Sequence, residues 1–484
     1  MEPQVQLTVR KRILRIAWPA IVSNVTVPLL GLADTAIVGH LGSAVYIGAI
    51  AVGGMIFSMV YWLFGFLRGS TSGFASQAYG AGSPEGVTHS LVRALVFACL
   101  TAAVLLVLQR PLGDLALCLV NATEAVEAEA RTYYNICIWG APAMLMLYGF
   151  NGWYIGLQNT RVTMAVALVQ NILNIVLSLF FVFVCGMKVA GVALGTVVAQ
   201  YAGLALAMWV WRWHYPQYAM DFVGFRKNYV GYKSFHIGYC KSRARHRFRV
   251  PGLRFRQVFQ RQFFTVNRDI FLRTLCLIAV TSFFTIAGAR QGDLVLAANA
   301  LLLQLFYLFS YFMDGFANAG EALSGESHGA CSTEGLKQVL LSLFSLGILL
   351  TVLFTLAYAC FAMPFLSLLS DDADVLAMAS RYRWWIVAVP FAGFAAFLWD
   401  GVFMGLTTTR RLLRSMASAT VVFFAVYFIA MPVMGNDGLW LAFVSYLFVR
   451  GLVQTLYCPQ ILREERPPGG LTVPALTVCF SASL

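Results

Sequence analysis

Of 484 residues, 60% are hydrophobic and only 11% are charged, and the mean hydropathy is +0.74. A soluble globular chain carries about a quarter charged residues, so this composition excludes one and makes the bilayer the solvent. The net charge of +13 is strongly basic, and its placement along the chain decides whether it marks nucleic acid or membrane topology.

Runs of about 20 apolar residues, enough to cross roughly 30 Å of hydrocarbon, recur along the whole length. Six lie in the first half, near 13–39, 46–67, 91–108, 134–157, 163–185 and 190–211. Six more lie near 270–289, 294–319, 339–361, 385–406, 412–434 and 438–458. The first follows Arg10, Lys11, Arg12 and Arg15 at full helix length, so it reads as a span and not as a cleavable signal peptide. The expected fold class is an all-α polytopic membrane protein of twelve transmembrane helices in two six-helix bundles. Its parts are an N-terminal lobe over 1–212, a basic cytoplasmic linker over 213–267, a C-terminal lobe over 268–458 and a tail over 459–484. Within these, residues 228–262 are unusually long and basic for a linker, and the stretch from Arg466 does not resemble a transporter end. Both are expected to be poorly ordered.

With a cytoplasmic N-terminus, only Arg110, Arg131, Lys188, Arg290, Arg381 and Arg383 fall outside, and Arg450 falls within the last apolar run. The rest of the 34 Lys+Arg lie on cytoplasmic segments or helix edges. That is the positive-inside pattern, and it explains the basic charge without a nucleic-acid partner. A cytoplasmic loop facing anionic lipid accounts for the Arg-rich segment 241–261. Both termini are then cytoplasmic, in a multi-pass protein of the inner (plasma) membrane.

The halves repeat each other. Asn151–Arg161 reads NGWYIGLQNTR and Asp400–Arg410 reads DGVFMGLTTTR, an offset of 249 residues. Ile37/Ile286, Gly39/Gly288, Gly80/Gly329 and Ala81/Ala330 match at the same offset. With an even number of spans per half, both halves begin on the same side. The repeat is therefore parallel, a pseudo-twofold about the membrane normal, as in many secondary transporters.

No catalytic or metal pattern accompanies this architecture. The ten cysteines contain no CxxC pair and the six histidines no HExxH, so no metal site or cofactor is expected. No Walker loop is present, which excludes ATP as the direct energy source. Charged groups inside hydrocarbon are costly, roughly 2.5–3.5 kcal/mol each on insertion scales, and commonly functional. Asp34 lies in the first span, Asp314 in the eighth and Asp400 in the tenth. These three are the candidate cation-coupling residues; the bland alternative is a buried acid satisfied by hydroxyls and amides. Glu321 and Glu326 fall near the cytoplasmic end of the eighth span, where solvation is expected. Asn171 and Asn174, one turn apart, share a face that is expected to meet Asp34, and Asn151 aligns with Asp400 in the repeat. These three amides and Glu321 are the candidate cavity-lining residues, with interhelical adhesion as the alternative role for the amides. Pro19 and Pro28 precede Asp34 in one helix, and Pro19 is the expected kink.

These residues resemble the multidrug and toxic compound extrusion (MATE) transporter family, most closely its DinF (DNA-damage-inducible protein F) branch. The resemblance runs from about Ile13 to Tyr457. It is carried by Pro28-Leu29-Leu30-Gly31-Leu32-Ala33-Asp34-Thr35-Ala36-Ile37-Val38-Gly39-His40-Leu41 and Ala75-Ser76-Gln77-Ala78-Tyr79-Gly80-Ala81. Asn171-Ile172-Leu173-Asn174-Ile175-Val176-Leu177, Asn267-Arg268-Asp269-Ile270 and Asp314-Gly315-Phe316-Ala317 add to it. It implies export of organic, often cationic or amphipathic compounds in exchange for protons or Na⁺. It also implies that Asp34 is the protonation site of the first lobe and that Pro19 is the kink proline. One position departs: the branch commonly has an acid where this chain has Ser178. Without that second carboxylate, protons are favoured over Na⁺ at Asp34. The partners implied are small organic substrates and the lipid bilayer, no nucleic acid, with the chain a monomer.

Other readings remain. A flippase for a lipid-linked precursor would line its cleft with several bases to hold phosphates, and Arg450 is the one clear intramembrane base. A major-facilitator permease would carry a basic loop motif, which is missing from Ala75–Gly86. A membrane enzyme or receptor would need a catalytic constellation or a soluble domain.

Overall fold

The apolar runs form helices in the structure, a computed structural model that describes residues 3–41, 43–120, 122–218 and 261–464. In the first half these are α1 (Pro3–Gly39), α2 (Ala44–Leu63), α3 (Phe66–Gly80), α4 (Pro84–Val107), α5 (Gln109–Val120), α6 (Glu124–Cys137), α7 (Ala141–Gly156), α8 (Thr160–Leu179) and α9 (Lys188–His214). In the second half they are α10 (Arg261–Ala289), α11 (Asp293–Gly329), α12 (Thr333–Leu366), α13 (Ala373–Gly405), α14 (Thr409–Met434) and α15 (Asn436–Glu464). No strand occurs among the described residues. Residues 219–260 of the basic linker and the tail from Arg466 lie outside the described residues.

Among the described residues, eleven stretches are long and apolar enough to cross a membrane. The run predicted over 134–157 is the twelfth, and it is divided. A 3-10 turn over Ile138–Gly140 separates α6 from α7, and Pro142 stands in the first turn of α7. Proline has no N–H to donate and fits a first turn, but it cannot extend an α-helix arriving from Cys137.

The internal repeat is written into the backbone. Gly82 and Cys331, Gln158 and Thr407, and Gly186 and Gly435 all adopt positive φ, and each pair is one repeat offset apart. Ser83 accepts from the Gly86 N–H at 3.2 Å to cap α4, and its counterpart Ser332 accepts from Gly335 at 3.0 Å to cap α12. A Cβ on Gly152 would stand 2.2 Å from the Arg68 carbonyl oxygen, and one on Gly401 would stand 2.0 Å from that of Ala317. Gly156 meets Ser72 and Gly405 meets Glu321 in the same way, at 2.7 and 2.2 Å. In each half, therefore, glycines let two helices touch backbone to backbone, α7 on α3 and α13 on α11, in one shared register. Close approach at small residues is how helices associate where lipid removes the hydrophobic driving force.

The chain divides into two compact units, Val22–Gln260 and Met1–Ile21 with Arg261–Leu484. Helix α1 runs unbroken through Pro19 and Pro28, and the division falls two residues after Pro19. In the unit of the second half, the early part of α1 packs at Gly315, whose Cβ position lies 2.4 Å from Ile21 and 2.9 Å from the Ala17 carbonyl. Arg12 pairs with Glu326 at 2.5 Å and Arg10 donates to Ser345 at 3.2 Å. In the other unit, buried Trp153 donates to the Val87 carbonyl at 2.9 Å and Tyr154 to that of Ala207 at 2.7 Å. Burying such rings while their polar tips find carbonyls keeps both faces of the amphipathic side chain satisfied.

Candidate functional site

In the unit Val22–Gln260, α1 carries Asp34 to a buried position, 8% exposed, where its Oδ1 has no hydrogen-bond partner. Tyr133 and Cys137 on α6 lie within electrostatic range of it. Tyr133 occupies the space left by Gly53, where a Cβ would stand 2.3 Å from its ring. Asn174 donates to Thr196 Oγ1 at 2.9 Å, and its own carbonyl accepts from Ser178 at 3.3 Å. Thr196, Asn174 and Ser178 thus form a hydrogen-bonded chain between α8 and α9. Ser178 is fully buried, and a Cβ on Gly195 would lie 2.7 Å from its Oγ. The helices α8 and α9 are so close there that a small hydroxyl fits and a carboxylate would have to push them apart. Asn171, which shares a helix face with Asn174 in the sequence, instead donates to the Thr26 carbonyl of α1 at 3.4 Å. Asn151 on α7 is half-buried, with an Oδ1 that has no partner.

The unit of the second half holds a different cluster. Asp400 on α13 accepts from Arg273 on α10 and from Arg450 on α15, and Gln454 Nε2 donates to its other oxygen at 2.7 Å. Arg450 also lies over the Phe397 ring at 5.5 Å. The carboxylate is therefore enclosed by two guanidinium groups and an amide, and the cluster carries a net positive charge.

Two expectations change here. Arg273 lies well inside α10 and joins Arg450, so Arg450 is not the one clear intramembrane base. Glu321 is 2% exposed, not solvated, because α13 packs over it at Gly405. Glu326, also expected in solvent, is half-buried and held by Arg12. Asp314 is half-buried on α11, accepting from Ser310 at 3.4 Å. The structure does not bring Asp314 or Glu321 into the hydrogen bonds of Asp400.

Several partners escaped the sequence reading. Buried Asp269 accepts from Arg268 at 2.8 Å and from Thr409 at 3.3 Å, tying α10 to α14. Asn299 and Asn436 exchange hydrogen bonds at 2.8 and 2.9 Å, and Trp440 donates to Asn299 at 2.9 Å. The signal for Asp269 was its place in a quoted motif; the Asn pair left none, because its members stand on separate helices. Among the described residues, no group of three or more His, Cys, Asp or Glu is placed to hold a metal ion.

Helices of membrane-crossing length, doubled in register and carrying charges at their packed faces, define a multi-pass membrane protein of the repeat-built transporter class. The chain matches the MatE family profile over residues 19–180 and again over 270–429, and it belongs to that family. It is 36% identical over 442 residues to the DNA damage-inducible protein F of Escherichia coli (strain K12), covering 91% of this chain and 90% of the relative. A probable multidrug resistance protein NorM of Pasteurella multocida (strain Pm70) is 22% identical over 464 residues, with 91% of each chain covered. Among solved structures, the Vibrio cholerae MATE transporter VcmN in the bent form superposes with a TM-score of 0.79. That likeness covers 95% of this chain and 98% of the other at 21% identity, and it establishes the shared fold.

Proposed function

We propose that this protein exports small organic compounds across the inner membrane, both termini cytoplasmic, in exchange for protons taken up at Asp34. Membership of a transporter family and the names of its relatives, multidrug resistance proteins among them, support export. The observation that carries the coupling reading is Asp34 itself, a buried carboxylate with an oxygen that nothing hydrogen-bonds. An ionised acid with unmet hydrogen-bonding capacity is costly in a span. Protonation removes the charge and supplies a donor. Each protonation state then favours a different packing around α1, and a proton gradient biases the populations. Pro19, which leaves one backbone carbonyl of α1 without its helical partner, is the point at which the helix would bend as it repacks.

Ser178 supports protons over Na⁺. A hard cation is held by several oxygen ligands at once. Asp34 with a hydroxyl at 178 provides one carboxylate, where two would compete better for a metal ion. Asp400 is the less suited coupling group, because two arginines compete with a proton for it.

Asp34→Asn mimics the neutral acid. Purified into proteoliposomes, it is expected to insert and melt as the wild type does, yet to lose ethidium efflux driven by a pH gradient. A Na⁺ gradient is expected to drive neither protein. Full export by Asp34→Asn would remove Asp34 from the coupling role.

A further inference from the structure

The Arg273–Asp400–Arg450–Gln454 cluster holds more donors than its one acid can use. A guanidinium presents five N–H groups, and Asp400 accepts one bond from each arginine and one from Gln454. The Nε of Arg273, the Nε of Arg450 and the Oε1 of Gln454 are buried without hydrogen-bond partners. Asp400 is the one carboxylate that acts on Arg450 electrostatically, beside the Tyr446 hydroxyl. Among the described residues, no other acid is hydrogen-bonded to Arg273, Arg450 or Gln454. Asp269 on α10 is bonded to Arg268 and Thr409. Tyr446 and Phe397 complete the wall around Arg450.

One positive charge thus remains uncompensated at membrane depth. Burying an unpaired charge costs several kcal/mol in protein interiors, and such groups mark substrate pathways in membrane helices. The side chains differ in access: Arg450 is 4% exposed, while Arg273 retains 14%. Arg273 is therefore the more open side chain of the two, and a guanidinium's terminal nitrogens are charge-assisted donors that match a carboxylate.

We propose that this cluster binds the carboxylate of an exported compound, Arg273 taking the anionic group while Arg450 and Gln454 hold Asp400 aside. The proposal rests on the export reading and adds acids and zwitterions to its substrates, beside the cationic compounds that the family resemblance suggests. Arg273 is a binding residue here, and Gln454 a positioning residue.

Rhodamine B and its ethyl ester share one dye core and differ at one carboxylate. Fluorescence anisotropy with the full chain in phosphatidylcholine nanodiscs is expected to show the acid binding about tenfold or more tightly than the ester, the size of one charge-assisted hydrogen bond. Arg273→Gln is expected to bring the ratio to unity with the ester affinity unchanged, and Arg273→Lys to restore part of it. Equal wild-type affinity for the two dyes overturns the proposal, and that comparison needs no variant to fold. So does an Arg273→Gln protein that weakens both dyes alike, which is a structural effect. Adding phosphatidylglycerol is expected to leave the wild-type ratio, relative to that of Arg273→Gln in the same discs, unchanged. Its abolition assigns the site to lipid phosphate and overturns the proposal. Binding is read without transport, so a failed ratio with intact ethidium efflux refutes the carboxylate site alone.

Discussion

Gly401→Ala tests the backbone contact on which the second half is built. The added Cβ would sit 2.0 Å from the Ala317 carbonyl oxygen, 2.7 Å from its carbon and 2.8 Å from its Cα. Real Cβ atoms essentially never approach within 3.0 Å of another heavy atom. All three obstacles are backbone, so no side chain can swing away and α11 and α13 must part by roughly 1 Å or more. Overpacking of this kind costs about 1–3 kcal/mol. For a helical unit of some 200 residues that lowers the melting temperature by roughly 2–12 °C. Gly31 is the control, since nothing lies within 4 Å of its Cβ position. There alanine relieves the chain entropy of glycine in a helix, worth about 0.5–1 kcal/mol. Melting followed by tryptophan fluorescence in one detergent ranks the two variants. A Gly401→Ala protein as stable as Gly31→Ala would refute the claim that this contact is tight and rigid.

Other outcomes follow from the same structure. Gly152→Ala is expected to destabilise the chain comparably in the same melting assay, because its obstacle is the Arg68 carbonyl at 2.2 Å. Arg12→Ala removes a pair whose side chains remain 41% and 26% exposed, so its melting shift is expected to correspond to about 1 kcal/mol or less. In an experimentally determined structure, residues 13–211 and 268–458 are expected to superpose by a rotation of about 180° around the membrane normal; an inverted relation would overturn the parallel repeat.

How much of this was legible in the sequence depends on what kind of constraint each residue carries. The repeat was readable because glycines such as Gly152 and Gly401 answer to local backbone geometry, which tolerates no substitute and so leaves identical letters. The divided span was not, because hydropathy registers the apolar residues of 134–157 and is blind to the turn that Pro142 ends. Asp400 was singled out as a charge within a span, but its arginine partners stand 127 and 50 residues away. No local pattern joins residues so distant. Arg273, near a basic helix start, read as one more cytoplasmic charge. Glu321 was misread for the opposite reason: its position near a helix end suggested water, while burial came from packing by α13. Ser178 stood out as a missing acid, and the proximity of Gly195 gives that absence a steric reason.

The first twenty-one residues belong to the compact unit completed by Arg261–Leu484. During synthesis, that leading segment must wait for more than half of the polypeptide to emerge before its neighbours exist. Its unit is therefore discontinuous in the gene order, and its folding cannot be finished one half at a time. Two fragments split within the linker and expressed alone would leave the second without its leading strut, even though each fragment contains six predicted spans. The ancestral duplication can be read in the letters, but the descendant no longer separates at the seam.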